Sequence, residues 1–164
     1  MESPQIGHVH LKVADIARAE DFYTRVLGFE VTTRYGNEAS FMSFGGYHHH
    51  LGVNTWESRG GGPAPRGTTG LYHYAILYPD RKSLANALKR VLDAGWPIGG
   101  ASDHGVSEAI YLADPDGNGI ELYRDRDPSE WPRNPDGSLG MTTLPLDLEE
   151  LLSLAQAEDA PRPS

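Results

Sequence analysis

The sequence predicts an α+β fold made of two βαβββ modules. Three observations predict it. The landmarks His8, Asp15 and Arg25-Val26-Leu27 reappear at one constant offset as His73, Asp80 and Arg90-Val91-Leu92, which is the signature of a duplicated structural unit. Within each copy the apolar residues recur first every second position, then at helical spacing, then every second position again. Between the copies, residues 57–69 read ESRGGGPAPRGTT, a Gly- and Pro-rich linker. The expected organisation is a leader at 1–5, a first module at 6–56, the linker at 57–69, a second module at 70–124 and a tail at 125–164, all one domain.

The first copy opens with a strand over 6–13, with Val9, Leu11 and Val13 on one face and His8, His10 and Lys12 on the other. Asp15 is placed to cap the helix that follows, because its carboxylate can accept from free N–H groups of the first turn. Ile16, Ala19, Phe22, Tyr23, Val26 and Leu27 carry the apolar stripe, and Gly28 ends the helix. Extended runs follow at 29–34, 39–44 and 47–54. The second copy has a strand at 71–78, a helix at 83–92, an extended run from Gly95, and a hairpin across 104–124 whose turn is Asp114-Pro115-Asp116-Gly117-Asn118-Gly119. In its last strand Ile120 and Leu122 share one face and Glu121 takes the other. The tail is turn-rich and leads through Leu144-Pro145-Leu146 to a short helix at 147–157, capped by Asp147, and a disordered end, EDAPRPS.

The composition narrows the function. The chain has 164 residues, is 38% hydrophobic and has mean hydropathy −0.48. A formal charge of −9 argues against a nucleic-acid partner, whose phosphates demand a basic face. There is no run long enough for a membrane span and no secretory signal, and the absence of cysteine fits a cytoplasmic protein. Any metal must then be held by His, Asp or Glu, which favours Fe(II), Mn(II), Zn(II) or Ni(II).

The repeat puts His8 and His73 at equivalent points of equivalent strands, and Glu121 on the last strand of the second copy. If the modules pair around one cavity, two imidazoles and one carboxylate converge on a metal and leave positions open for substrate, an arrangement suited to non-haem Fe(II) and oxygen. The run His48-His49-His50 lies nearby in the first copy. Strand parity, with Leu51 and Val53 toward the core, turns His48, His50, Gly52 and Asn54 to the cavity side, and makes His50 an acid–base group or a fourth ligand. Trp56, Tyr72, Tyr74 and Phe41 are candidates to line an aromatic pocket, and His10 shares the inner face of the first strand with His8.

The stretches IGHVHLKVADIARAEDFYTRVLGF and IYLADPDGNGIELY resemble the vicinal-oxygen-chelate superfamily, which includes glyoxalase I, bleomycin-resistance proteins and extradiol dioxygenases. YHHHLGVNTW, GLYHYAILYP and HGVSEAIYLADPDGNGIELY are similar to its catechol 2,3-dioxygenase branch. The resemblance implies an Fe(II)-dependent extradiol dioxygenase acting on a catechol and O2, with His8, His73 and Glu121 as ligands. It implies an acid–base histidine at His49, where parity points to His50, and a bulge at Gly45-Gly46 would reconcile the two. It implies that His104 lies near the substrate oxygens and that Tyr111 hydrogen-bonds one of them. The branch's usual two-domain length implies a homodimer here. A glyoxalase-like isomerase or lyase and a bleomycin-resistance-like binding protein are the alternatives.

Overall fold

The computed structural model describes residues 3–155. The end of the short C-terminal helix foreseen from the sequence, and the segment EDAPRPS for which disorder was expected, fall outside that range. The elements run β1 (Val9–Lys12), α1 (Ile16–Asp21), a π-helical turn (Phe22–Val26), β2 (Glu30–Tyr35), β3 (Ala39–Ser43), β4 (Leu51–Asn54), β5 (His73–Leu77), α2 (Arg81–Asp93), β6 (Gly100–Asp103), β7 (Ser107–Ala113), β8 (Gly119–Asp125), a 3-10 turn (Pro128–Glu130), β9 (Leu144–Pro145) and α3 (Leu148–Ser153). This is the α+β pattern of two modules, each a strand and a helix followed by three strands. Among the described residues no helix is long and apolar enough to cross a membrane.

The chain divides into two compact units. The first runs to Tyr74 and takes in Ala113–Gly119, and the second holds Ala75–Leu112 and the residues from Ile120 onward.

The first unit carries a mixed sheet in the order β1-β4-β3-β2. β1 lies parallel to β4, with His10 opposite Gly52, and β3 is antiparallel to both of its neighbours. The expected alternation holds in β1: Leu11 and Val13 are buried, while His8, His10 and Lys12 are exposed. Asp15 caps α1 by accepting from Arg18 N–H at 2.7 Å. The apolar stripe then continues through the π-helical turn, where Phe22, Tyr23 and Val26 are fully buried.

The loop at Ala113–Gly119 is bolted into this unit by two aspartates. Asp114 is only 4% exposed. Its carboxylate accepts from Tyr23 O–H at 2.7 Å, from the N–H groups of Asp116 and Asn118 at 2.8 and 2.9 Å, and from Asn118 Nδ2 at 2.8 Å. A buried carboxylate is tolerated only when its lone pairs are met in this way. Burial, then Tyr74 and the Asp114 carboxylate beside it, push the Tyr23 phenol far up, so it remains a donor. Asp116 accepts from Ala14 N–H at 2.9 Å and from the Arg18 guanidinium at 2.7 Å, just where α1 begins.

The second sheet has the order β5-β8-β7-β6-β9. Ile120 and Leu122 are buried and Glu121 is half-buried on the opposite face, as the alternation predicts. Asp80, the repeat counterpart of Asp15, caps α2 by accepting from Ser83 N–H at 2.7 Å, and Leu84, Leu88 and Val91 are its buried stripe. The tail is part of this unit. β9 adds to the edge of the sheet through Ser102↔Pro145 and Asp103↔Leu144, an edge position being where a strand proline costs no ladder bond. Asp147 caps α3, whose Leu151 is fully buried.

Asp114→Ala should lower the unfolding free energy by about 3 kcal/mol, because it strands the buried Tyr23 hydroxyl and the loop N–H groups at once. Tyr23→Phe, which leaves other donors on the carboxylate, should cost about 1 kcal/mol. Urea denaturation of the two variants checks the ranking, and equal losses would show that the loop bonds contribute nothing.

Candidate functional site

A histidine cluster occupies the first unit. The His10 ring lies over Gly52, where an added Cβ would come within 2.9 Å of Nδ1, so glycine there is what lets the imidazole sit against β4. His10 Nε2 is 2.9 Å from Asn54 Nδ2, while Asn54 Oδ1 accepts from Trp56 N–H at 3.1 Å. The Trp56 N–H can only donate, which sets the amide orientation and makes Nε2 of His10 an acceptor. Burial and the adjacent His8 lower the pKa of His10 and keep the ring neutral. Phe41 meets His10 edge-on at 5.7 Å, and Trp56 lies at the same distance.

Residues 47–50 are not strand. β4 begins at Leu51, and Gly45 and Gly46 both take positive φ just before this segment. The extended run foreseen over 47–54 is therefore corrected to 51–54. Parity holds for Gly52 and Asn54, which face His10, and the pairing reaches one residue further: His50 N–H donates to the Met42 carbonyl and its carbonyl accepts from Val9 N–H, each at 3.0 Å, while 47–49 have no strand partner to fix their alternation. The register shift of this sheet lies instead at Val31/Thr33 in β2, where the Thr32 hydroxyl is 2.7 Å from the His48 carbonyl and 3.1 Å from that of Phe41.

This backbone path separates the neighbouring histidines. The His49 ring stands 4.4 Å from that of His8 and 5.2 Å from Phe41. Its Nδ1 is 2.7 Å from Nδ1 of His48, a pair in which one nitrogen must donate and the other accept. Burial and then His8, with smaller effects from its other histidine neighbours, lower the pKa of His49. His50 turns elsewhere. Its Nδ1 accepts from Phe44 N–H at 3.3 Å, lies 3.1 Å from Ser43 Oγ, and its ring stacks near Tyr47. Trp56 is 56% exposed and Tyr72 is 91% exposed, the latter with its ring 5.6 Å from that of His73.

The second unit holds a polar chain. His104 Nε2 lies 2.7 Å from the Tyr111 hydroxyl, which is 3.4 Å from Glu121 Oε1. The turn bearing His104 is braced by Asp103, which accepts from Gly105 N–H at 2.8 Å and is gripped by Arg126 on both oxygens. Beside it Glu108, 2% exposed, accepts from Arg81 Nε at 3.0 Å and Arg124 Nε at 2.8 Å and has Arg126 at 3.6 Å. Sequence reasoning missed this network. Its signal was the charged residue inside the apolar strand SEAIYLA, which demands buried partners.

Of the three residues foreseen as metal ligands, His8 and His73 belong to the first unit and Glu121 to the second. Among the described residues no group of three His, Asp or Glu side chains is gathered to hold an ion. The donor types, two imidazoles and a carboxylate, suit a divalent first-row metal.

A model of the glyoxalase/bleomycin resistance protein/dioxygenase superfamily matches residues 5–122. The chain belongs to this superfamily. It is 42% identical over 158 residues to catechol-2,3-dioxygenase of Bacillus subtilis (strain 168), covering 96% of this chain and 54% of that protein. It is 31% identical over 126 residues to biphenyl-2,3-diol 1,2-dioxygenase 3 of Rhodococcus globerulus, covering 75% and 64%. The chain thus spans less than two-thirds of the length of either of these relatives. Among solved structures, a glyoxylase/bleomycin resistance protein/dioxygenase domain from Frankia sp. EAN1pec matches with TM-score 0.63 and 19% identity, covering 76% of this chain and 100% of that one. Lactoylglutathione lyase from Agrobacterium tumefaciens matches with TM-score 0.59 and 21% identity, covering 76% and 96%. At such identities these two speak for the superfamily fold alone.

The Arg126 hydrogen bonds hold Asp103 below the usual carboxylate range. Its contribution to stability is therefore present above the unfolded value of about 3.9 and lost as pH falls through the depressed folded value. Asp103→Asn keeps an acceptor for Gly105 N–H but removes the charge. It should be less stable than the parent by about 1–3 kcal/mol at pH 7, and the gap should close on acidification. Unfolding curves at several pH values check this, and a gap independent of pH would refute it.

Proposed function

We propose that this chain is an extradiol-type dioxygenase that opens the ring of a catechol-like aromatic diol, with both atoms of O2 entering the product. The observation that carries the reading is the His49 imidazole packed on His8, in a chain 42% identical to a catechol-2,3-dioxygenase. His8, His73 and Glu121 are the proposed ligands of a divalent ion, Fe(II) before Mn(II), Zn(II) or Ni(II). When bound, the ion would hold the diol and oxygen together and acidify the diol. A cytoplasmic homodimer is part of the same reading.

The chain's own residues do the rest. His49, with its lowered pKa, is unprotonated at neutral pH and takes a proton from a diol hydroxyl at its ring nitrogen. Of the two histidines singled out from the sequence, His49 is the proposed acid–base group, and His50, engaged with Phe44 and Ser43, supports the turn. Tyr111 and His104 orient a substrate oxygen. Phe41 and Trp56 offer aromatic faces, with His10 held between them.

His49→Gln should retain metal and lose roughly 10²–10⁴ in turnover, the usual worth of a positioned proton-transfer group, while His50→Gln should change turnover little. Glu121→Gln should lose most of the metal, because a neutral amide does not balance a cation. Oxygen uptake with simple catechols on iron-loaded protein, beside metal analysis, reads all three. No oxygen uptake with any catechol would sink the dioxygenase reading, and full metal occupancy in Glu121→Gln would remove that residue from the ligand set.

A further inference from the structure

The tail does more than cover the second sheet. His104 and Thr142 exchange two hydrogen bonds: Thr142 N–H donates to the His104 carbonyl at 3.0 Å, and His104 Nδ1 lies 2.9 Å from the Thr142 carbonyl oxygen. A carbonyl oxygen can only accept, so Nδ1 must carry the proton. In the neutral ring Nε2 is then a bare lone pair, and the Tyr111 hydroxyl 2.7 Å away must donate to it. The hydroxyl has one hydrogen, so it does not at the same time donate across the longer 3.4 Å contact to Glu121.

We infer that the Thr142 carbonyl is a positioning group that fixes the His104 tautomer and thereby turns the Tyr111 proton toward His104 and away from Glu121. With the other tautomer, Nε2–H would donate to the phenol oxygen and release the hydroxyl toward the carboxylate. Tyr111 therefore presents lone pairs, and in the dioxygenase reading, on which this last step rests, it accepts from a substrate O–H.

The placement of Thr142 is built in. β9 pairs Asp103 with Leu144. Gly105, at φ +75, brings the backbone so close that an added Cβ would lie 2.7 Å from Pro132 and 3.2 Å from the Thr142 hydroxyl oxygen. Gly140 N–H donates to the Pro132 carbonyl at 2.8 Å, and Arg126 N–H to that of Val106 at 2.8 Å. The tail is thus clamped on both sides of the residue whose carbonyl is used.

The test is the tautomer itself. Long-range proton–nitrogen NMR on full-length protein labelled in its imidazoles, with His104→Gln to assign the signal, should show a protonated Nδ1 and an unprotonated Nε2 at His104. Replacing the Thr142–Thr143 amide by an ester weakens that carbonyl as an acceptor and leaves every side chain in place. The ester protein should gain the Nε2–H form, and catechol turnover should fall roughly tenfold, as is usual when a residue supporting a reacting group is lost, with KM little changed. An Nε2–H ring in the unmodified protein, or a tautomer that the ester leaves unmoved, overturns the inference. If the unmodified protein turns over no catechol while the tautomer responds as expected, the proposed activity fails and the positioning role stands.

Discussion

A carboxylate taken out of water has to be surrounded by donors, and Asp114 imposes that demand on the first unit. Four donors meet it, two from the loop backbone, one from Asn118 and one from a tyrosine buried on the helical segment. The loop of residues 113–119 is therefore folded around a charge rather than around an apolar centre. Asp116, two residues on, reaches Arg18 and the backbone just before α1. β8 begins at the end of this loop, beside His73. Strands and helix in this unit are ordinary amphipathic elements; the aspartates give them a fixed relation that hydrophobic contact alone would leave loose.

Much of this was legible because it is local or repeated. Asp15 and Asp147 were readable as caps from position alone, and the repeat marks Asp80 as the counterpart of Asp15. The inward turn of Ile120 and Leu122 around Glu121 follows from the pleat. The same pleat reaches back only as far as His50. Alternation is a property of a paired strand, and after two glycines at positive φ the residues 47–49 lie outside the pairing, which His50 begins through Met42 and Val9. His49, not His50, then faces His8.

The tail shows a different limit. On the tail's side its contacts with His104 run through the Thr142 N–H and carbonyl, and backbone groups carry no letter in a sequence. A turn-rich segment with a lone Leu-Pro pair gives no sign that it will extend a sheet, since the partner edge supplies the register. The ligand set sits between these cases. The residue types are plain, whereas a gathering of them is a long-range property that no local pattern contains, and among the described residues no such group is formed.

Glu108 bears on how the chain can change over generations. Arg81, Arg124 and Arg126 crowd one carboxylate sealed from solvent. Lose any single arginine and Glu108 still has cationic neighbours, so drift at those positions is cushioned. Lose the glutamate and three guanidiniums are left facing one another with much of their shared counter-charge gone, although Asp103 and Glu150 each still hold one. Arg124 is thus the easiest of the three to vary, Arg126 being tied also to Asp103 and Arg81 to Glu150, whereas the glutamate can be replaced only together with its arginines.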